Sequence, residues 1–563
     1  MSNKLQLTTL AVLVSAALPA QAALYKVVEV TPSVSGSEYY GTAIEPSDPT
    51  LNATNPLGCF GSDCGTGSAY KLAGETRDRA EGVSYTEEVP FAMDNSFGYI
   101  EDDYDGFEDY CFYQLGYSTC EYWANNQWTG WSNEIYGSND KNSLAFIETA
   151  AEAPSGSINT VINSLDSAGA AVGNFSSTIN RNAPISGDSI TGFQQGRQWS
   201  TDGTYTVGSV TSKTGIGAER YYYFSKPAIW KGSTLTTVNW VKNAQQDGDY
   251  YAQGSMRDLH VDGTTFYGVG YNNYDDQHMN ATIFKASIDA TTGALGIVGS
   301  TLISGAQVEI SGDNVNSNSV ATNINDNLVV VGQAKRSGSY PQNGAAGNRL
   351  FVTSATSPTA HFLDSSDGEI FFNGVGGEMG SINNFNEIVG RIDVDTFREY
   401  DGKQRRQRAF IYPYGVKGKV ENGTESEKKA INDRKAILGG KAQIIDNLTN
   451  GGADSDNNNQ YRIYDATDIN DAGVISATAT KCYDENGSTV QEYDSTAHDA
   501  YCGDGNGTEK IVAVKLVPIV GATAANINTR GYENNTTERQ GGSLGFGALT
   551  LLGLFGFMRK RSK

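Results

Sequence analysis

The body of this chain alternates short apolar runs with polar Asn/Asp/Gly turns. One arrangement recurs: Ile324-Asn-Asp-Asn-Leu-Val-Val-Val-Gly332, Ile382-Asn-Asn-Phe-Asn-Glu-Ile-Val-Gly390 and Ile469-Asn-Asp-Ala-Gly-Val-Ile-Ser-Ala477. Looser copies end at Gly173, Gly208 and Gly270. Each predicts a turn feeding a β-branched or aromatic strand that ends at a small residue. A further strand follows several of them, at Ala228–Trp230, Thr282–Phe284, Leu350–Val352 and Ala409–Tyr412. The anchors 173, 208, 270, 332, 390 and 477 are spaced by 35, 62, 62, 58 and 87 residues. A recurring interval near 60 marks a multi-stranded sheet repeated in space. One such sheet cannot bury both of its faces, so neighbours must stack. The expected fold is all-β, a β-propeller or propeller-like array, with a β-solenoid or sandwich domains as the alternatives. Tyr25–Val30 and Lys510–Leu516 are strand-like runs at opposite ends of the body, and pairing them in one closing blade removes two edge strands.

The ends differ from the body. Lys4, the apolar run Leu10–Leu18 and Ala20-Gln21-Ala22 form the three parts of a secretory leader, so residues 1–22 are expected to be removed by signal peptidase and the mature chain to start near Ala23. At the far end Gly541-Gly542-Ser543 precedes the uncharged stretch Leu544–Met558 and the basic group Arg559, Lys560, Arg561 and Lys563. As a helix those fifteen residues span about 22 Å, short of the roughly 30 Å hydrocarbon core. Snorkelling basic side chains close the gap, which gives a C-terminal inner-membrane anchor with its basic end cytoplasmic.

The expected organisation is a leader (1–22), an N-terminal strand with a Cys/Trp-rich acidic subdomain (23–150), the repeat body (151–518), a flexible stalk (519–540) and the tail (541–563). Residues 31–150 fit the repeat poorly and are expected to form an elaborated first blade or an inserted subdomain.

The copy at 382–412 resembles the HAF-type extracellular repeat, with its Ile-Asn turn, Val-Gly strand and later Ala-Phe strand. The C-terminus, with Gly541-Gly542-Ser543, a Leu/Gly/Phe helix and basic residues, resembles the GlyGly-CTERM sorting signal of Gram-negative bacteria. That resemblance implies cleavage near the Gly-Gly by a rhomboid-type sorting protease (rhombosortase) and passage through type II secretion machinery, as the alternative to a retained anchor. The chain as a whole resembles a family of Gram-negative secreted proteins classed as a domain of unknown function. Such likeness implies architecture and an exported, cell-surface or extracellular address, and no activity.

Charge narrows the partners. The formal net charge is −23, and losing Lys4 and the four basic residues of the tail lowers it to −28. Such a body is repelled by nucleic acid and anionic membrane. Six cysteines fall into close pairs, Cys59/Cys64, Cys111/Cys120 and Cys482/Cys502. In an exported chain the default is local disulfides.

Candidate chemistry is sparse. The four histidines, His260, His278, His361 and His498, form no H-E-x-x-H, and there is no phosphate-binding loop. Gly541–Gly545 matches G-x-S-x-G, but no Asp, Glu or His follows it, so no catalytic set is assigned. Asp454, Asp456 and Asn458 occupy the first three ligand positions of a calcium loop, with Asn459 where the glycine should be. The acidic stretch Asp94–Asp109 followed by Trp123, Trp128 and Trp131 brings aromatic faces beside carboxylates, which suits a surface polysaccharide; packing beneath Cys111–Cys120 is the alternative role for these tryptophans. Lys403–Arg408 is a basic run, read as a solvated loop or a ligand anchor. The functional expectation is a binding, adhesion or envelope structural module. The alternatives are a secreted carboxylate-dependent polysaccharide hydrolase and a calcium-stabilised surface module.

Overall fold

A computed structural model describes residues 23–530, except 49–52, 66–68, 78–102, 113–119, 122–123, 126–127, 130–142, 150–158, 177–182, 217–219, 243, 248–249, 275–278, 397–404, 492–501 and 503–506. The leader and residues 531–563 lie outside the described residues. Seven antiparallel sheets form a ring, the arrangement of a seven-bladed β-propeller. Their inner strands are Glu38–Ile44, Asn159–Leu165, Gln195–Thr201, Ser255–Asp262, Asp313–Ile324, Gly377–Ile382 and Tyr461–Ile469. Each inner strand touches the next, and the seventh touches the first. Closure of the ring excludes the solenoid and the sandwich. Blade 7 is completed by the N-terminal strand Tyr25–Glu29, which pairs with Thr508–Pro518 in the register Tyr25↔Pro518, Val27↔Leu516.

The anchors are equivalent: Gly173, Gly208, Gly270, Gly332, Gly390 and Ala477 all lie on second strands of blades 2 to 7. Blade 1 has its own copy, Gly74, within the stretch that fitted the repeat poorly. In every blade the inner-strand residue paired with this position is followed by a bulge. Bulged positions are Thr42, Asn163, Trp199, Arg257, Thr322, Gly380 and Thr467. A bulge bends its strand and pushes backbone towards the partner. A Cβ on any of the six glycines would sit 1.8–2.4 Å from an inner-strand carbonyl oxygen. Phe146, Phe351 and Phe410 on third strands pair with Gly74, Gly332 and Gly390 and fill the space beside them. Gly390→Ala should therefore destabilise the body by about 1–3 kcal/mol, measured by denaturant unfolding. Ala477→Gly, where a Cβ is already accommodated, should cost less than half of that.

The residue after each bulge ties one blade to the next. Ser164 Oγ donates to Trp199 O (2.8 Å), and Ser200 hydrogen-bonds Asp258. Asp258 Oδ2 accepts from Ile324 N (3.0 Å), and the Asn323 amide donates to Gly380 O (2.7 Å). Ser381 hydrogen-bonds Asp468, whose Oδ2 accepts from Ile44 N (3.0 Å). Only Ala43 of blade 1 has no group to contribute. Backbone N–H groups at the inner edge thus find acceptors, which an exposed strand edge would lack. Burial pushes the Asp258 carboxyl up to about 6, and Asp468 is raised by the same cause. Both hold a proton more tightly folded than unfolded. Their contribution to stability therefore rises as pH falls from about 6 towards 4, on the order of 1 kcal/mol between pH 7 and pH 5. Unfolding titrations of wild type against Asp258→Asn should show that slope flattened in the variant.

The recurring Ile-Asn turn has its own reason. Asn325 Oδ1 accepts from Asn327 N and Val329 N within its turn, while Nδ2 donates to Asn383 O of the next blade (2.8 Å). Asn383 does the same towards Asn470 O (3.1 Å) and Asn470 towards Glu45 O (2.9 Å). An acid could not donate and a serine could not reach both partners.

Two expectations need correction. Residues 519–530 are not a stalk: Ile519 N donates to Leu24 O, Ala524–Asn526 forms a 3₁₀ turn, and Arg530 is buried, donating to Tyr461 O and Asn459 O. The Ala/Asn/Thr composition reads as a linker, yet Ala522 is buried in the core and Ile519 and Ile527 pack against it. Of the basic run Lys403–Arg408, the described part, Arg405–Arg408, is not a surface patch. Arg405, Arg406 and Arg408 are all buried, with Arg405 donating to Gly374 O and Asn343 O and lying 3.5 Å from Asp393. Both ends of the described body leave at the short helix Asp446–Thr449: Leu24 N donates to Leu448 O and Arg530 N to Asn447 Oδ1.

Candidate functional site

Antiparallel order puts every connection between second and third strands at one face, together with the start of each inner strand. Four of these connections are long: 78–142, 337–348, 394–406 and 484–507. The opposite face carries mostly tight turns and two long connections that are tied down. There, residues 414–442 fold over the hairpin ends of blades 4 to 7, through Lys419–Asp262, Lys419 N to Asn327 O, Asn386 Nδ2 to Gly415 O and Arg434 to Glu387. Residues 45–71 are stapled by Cys59–Cys64. Variable chemistry on a rigid repeat scaffold belongs on its long connections, so the face on which four of them gather, 78–142 among them, is the candidate site.

Two of the three disulfides brace that face. Cys111–Cys120 closes a loop inside 78–142, and Cys482–Cys502 ties the base of 484–507 to the second strand of blade 7. Within the first of these the helix Asp103–Tyr110 buries Phe107 completely, and Trp128 lies 6.0 Å from its ring. Trp128 is half-buried, so one edge packs and another reaches the surface. Trp123 and Trp131 lie outside the described residues, as do His278 and His498.

Other sequence candidates are placed elsewhere. Asn458 is fully buried, with Oδ1 accepting from Val27 N and Nδ2 donating to Tyr25 O and Thr449 O. Its amide therefore fastens the closing strand, while Asp456 is exposed and Asp454 half-buried. Among the described residues no three His, Cys, Asp or Glu side chains converge as a metal site requires. His260 Nδ1 is 3.1 Å from Asp326 and His361 Nε2 is 2.9 Å from Asp367, each a separate pair. Among the described residues no helix is long and apolar enough to cross a membrane.

Sequence reasoning missed a charged group at the inner rim of the candidate face. Arg391 (blade 6), Tyr464 and Asp465 (blade 7), and Tyr40 and Arg77 (blade 1) gather there with Glu378, Glu75 and Glu38. No pattern in the sequence joins them, because they come from three blades up to 427 positions apart.

A closed ring of seven sheets with one elaborated face defines a β-propeller, a fold compatible with a binding or structural module. The chain belongs to the family described as Protein of unknown function (DUF3466), whose model matches residues 2–201 and 233–561, nearly its whole length. The unmatched stretch covers most of the hairpin of blade 3, Thr206–Ile216 and Arg220–Lys231. No curated protein matches the chain.

Proposed function

We propose that this is an exported propeller, held at the cell surface or secreted, that binds surface polysaccharide or structures the envelope through the face bearing residues 78–142. The observation that carries the reading is the gathering of the long second-to-third-strand connections on that face, two of them braced by disulfides. Disulfides fit an oxidising compartment. Trp128 and its neighbours Trp123 and Trp131 supply apolar faces on which sugar rings stack, beside carboxylates and amides for their hydroxyls. Removal of 1–22 by signal peptidase and of the tail after Gly541-Gly542 by a rhomboid-type protease completes the proposed route through type II secretion.

Intact mass of the protein released by its native host tests the route. A released chain that keeps Phe555 and the basic terminus rules out tail cleavage. For the ligand, the body is screened against envelope glycans, and the Trp123→Ala, Trp128→Ala, Trp131→Ala triple variant is expected to stay folded and lose binding. Unfolding of that variant assigns the tryptophans to packing, and turnover of a polysaccharide replaces binding by hydrolysis.

A further inference from the structure

A second kind of inter-blade bond recurs in three of the blades. In blades 2, 5 and 7 the residue after the second-strand small residue is Asn174, Gln333 or Thr478. Each accepts the N–H of the inner-strand residue that precedes the next bulge: Gln198 (2.9 Å), Met379 (2.8 Å) and Gly41 (3.1 Å). Blade 6 carries Arg391 at this position and blade 1 carries Glu75. A guanidinium has no acceptor, so the bracket from blade 6 to blade 7 is given up.

Arg391 belongs instead to a partly exposed charged cluster. Arg391 pairs with Glu378, donates from Nη1 to Tyr464 Oη (2.6 Å) and lies 3.7 Å from Asp465 Oδ2. Blade 7 carries an extra bulge at Tyr464, between Ile463 and Asp465, in addition to the shared one at Thr467. Bulges re-aim side chains beside binding sites. Blade 5 also has an extra irregularity, but its Asn318 and Ser319 are used to accept Met279 N and Ala281 N of blade 4. In blade 1 Arg77 pairs with Glu75 (2.7 Å) and covers the Tyr40 ring at 4.1 Å, while the Tyr40 phenol donates to Glu38 (2.6 Å). The side chains of Glu378, Arg77, Asp465 and Arg391 are 39, 24, 19 and 18% exposed. Arg77 is also the residue from which the connection 78–142 departs.

Two guanidiniums among four carboxylates leave a formal surplus of two negative charges. Burial pushes the Asp465 carboxyl up against the pull of Arg391, so a donor brought to it by a ligand is favourable. The rim thus presents carboxylate acceptors beside guanidinium donors. Adjacent hydroxyls or amines on a ring satisfy both, whereas a polyanion meets the surplus charge.

We propose that Glu378, Arg391, Asp465 and Arg77 form the floor of a saccharide site that takes neutral or amino sugars and rejects uronates. The assignment rests on the reading of the insertion face as a ligand surface. Titration calorimetry of the full secreted chain with cellohexaose, a glucosamine hexamer and a galacturonate hexamer tests it. The first two are expected to bind and the third not. Asp465→Asn and Glu378→Gln should each weaken binding roughly tenfold with the melting temperature unchanged. Glu378, at the rim, keeps the test valid if Asp465→Asn unfolds the chain. Tightest binding by the galacturonate, or binding by none of the three, overturns the proposal. So does a loss of melting temperature in both variants with affinity intact, the signature of a purely structural ion network. If the sugars bind and only the tryptophan variants abolish it, the insertion face stands as the ligand surface and this floor falls.

Discussion

A chain that begins at Thr31, lacking residues 23–30, should not give a monomeric folded body. Leu24, Tyr25, Val27 and Val30 are all buried, and Val27 and Tyr25 pack in the core between blades 6 and 7. At about 1.5–3 kcal/mol for each large apolar side chain, their loss removes about 6–12 kcal/mol, comparable to the whole stability of most domains. It also bares the edge of Thr508–Pro518, a buried apolar strand that would template pairing between chains. Size-exclusion chromatography should show aggregates where the intact body elutes as a single species. A monomer with native circular dichroism would show that the ring holds without its closing strand.

Glu387→Ala should be the most damaging single side-chain truncation, at about 3–5 kcal/mol. Glu387 is buried beneath the helix Glu425–Ile437 and receives Arg434 Nε (2.8 Å) and Nη2 (2.5 Å) as a fork, together with Asn383 Nδ2 (2.6 Å). Arg434 also covers the Phe385 ring at 4.2 Å and donates to Asp471 O. Truncation leaves that guanidinium buried without its counter-charge and frees the Asn383 amide that turns blade 6 towards blade 7. Replacing both members, Glu387→Leu with Arg434→Met, should recover most of the loss, because no unpaired charge is then buried. Denaturant midpoints of these two variants and the wild type separate the pair's specificity from its net energy.

The repeat was legible where its residues serve the ring. Ile-Asn recurs because the asparagine caps its own turn and reaches the next blade, and glycine recurs because a bulge leaves no room for a Cβ. Ala477 departs from the pattern without breaking it. The interval of 87 before it is explained by the inserted helix of blade 6, and the interval of 35 by the two-residue third strand of blade 2. Blade 1 escaped notice although Gly74 and Ala145-Phe146 follow the rule, because 27 residues separate its first two strands and 65 the next two. Charge was the harder reading. A run of arginines looks solvated in sequence, and burial of Arg405, Arg406 and Arg408 depends on carbonyls and carboxylates supplied by distant loops. The rim cluster is invisible for the same reason: its members become neighbours only when blade 1 closes on blade 7.

The meeting of both ends of the described body at Asp446–Thr449 governs how that body responds to force. Tension between residues 24 and 530 is met first by the bonds to Leu448 and Asn447 and then by the pair Tyr25–Glu29 and Thr508–Pro518. Because Tyr25 lies opposite Pro518, the pull enters this antiparallel pair at one end and loads its hydrogen bonds one after another, and the other six blades lie outside that path. Tension on both ends therefore peels the closing strand away before it reaches the face that carries the long connections.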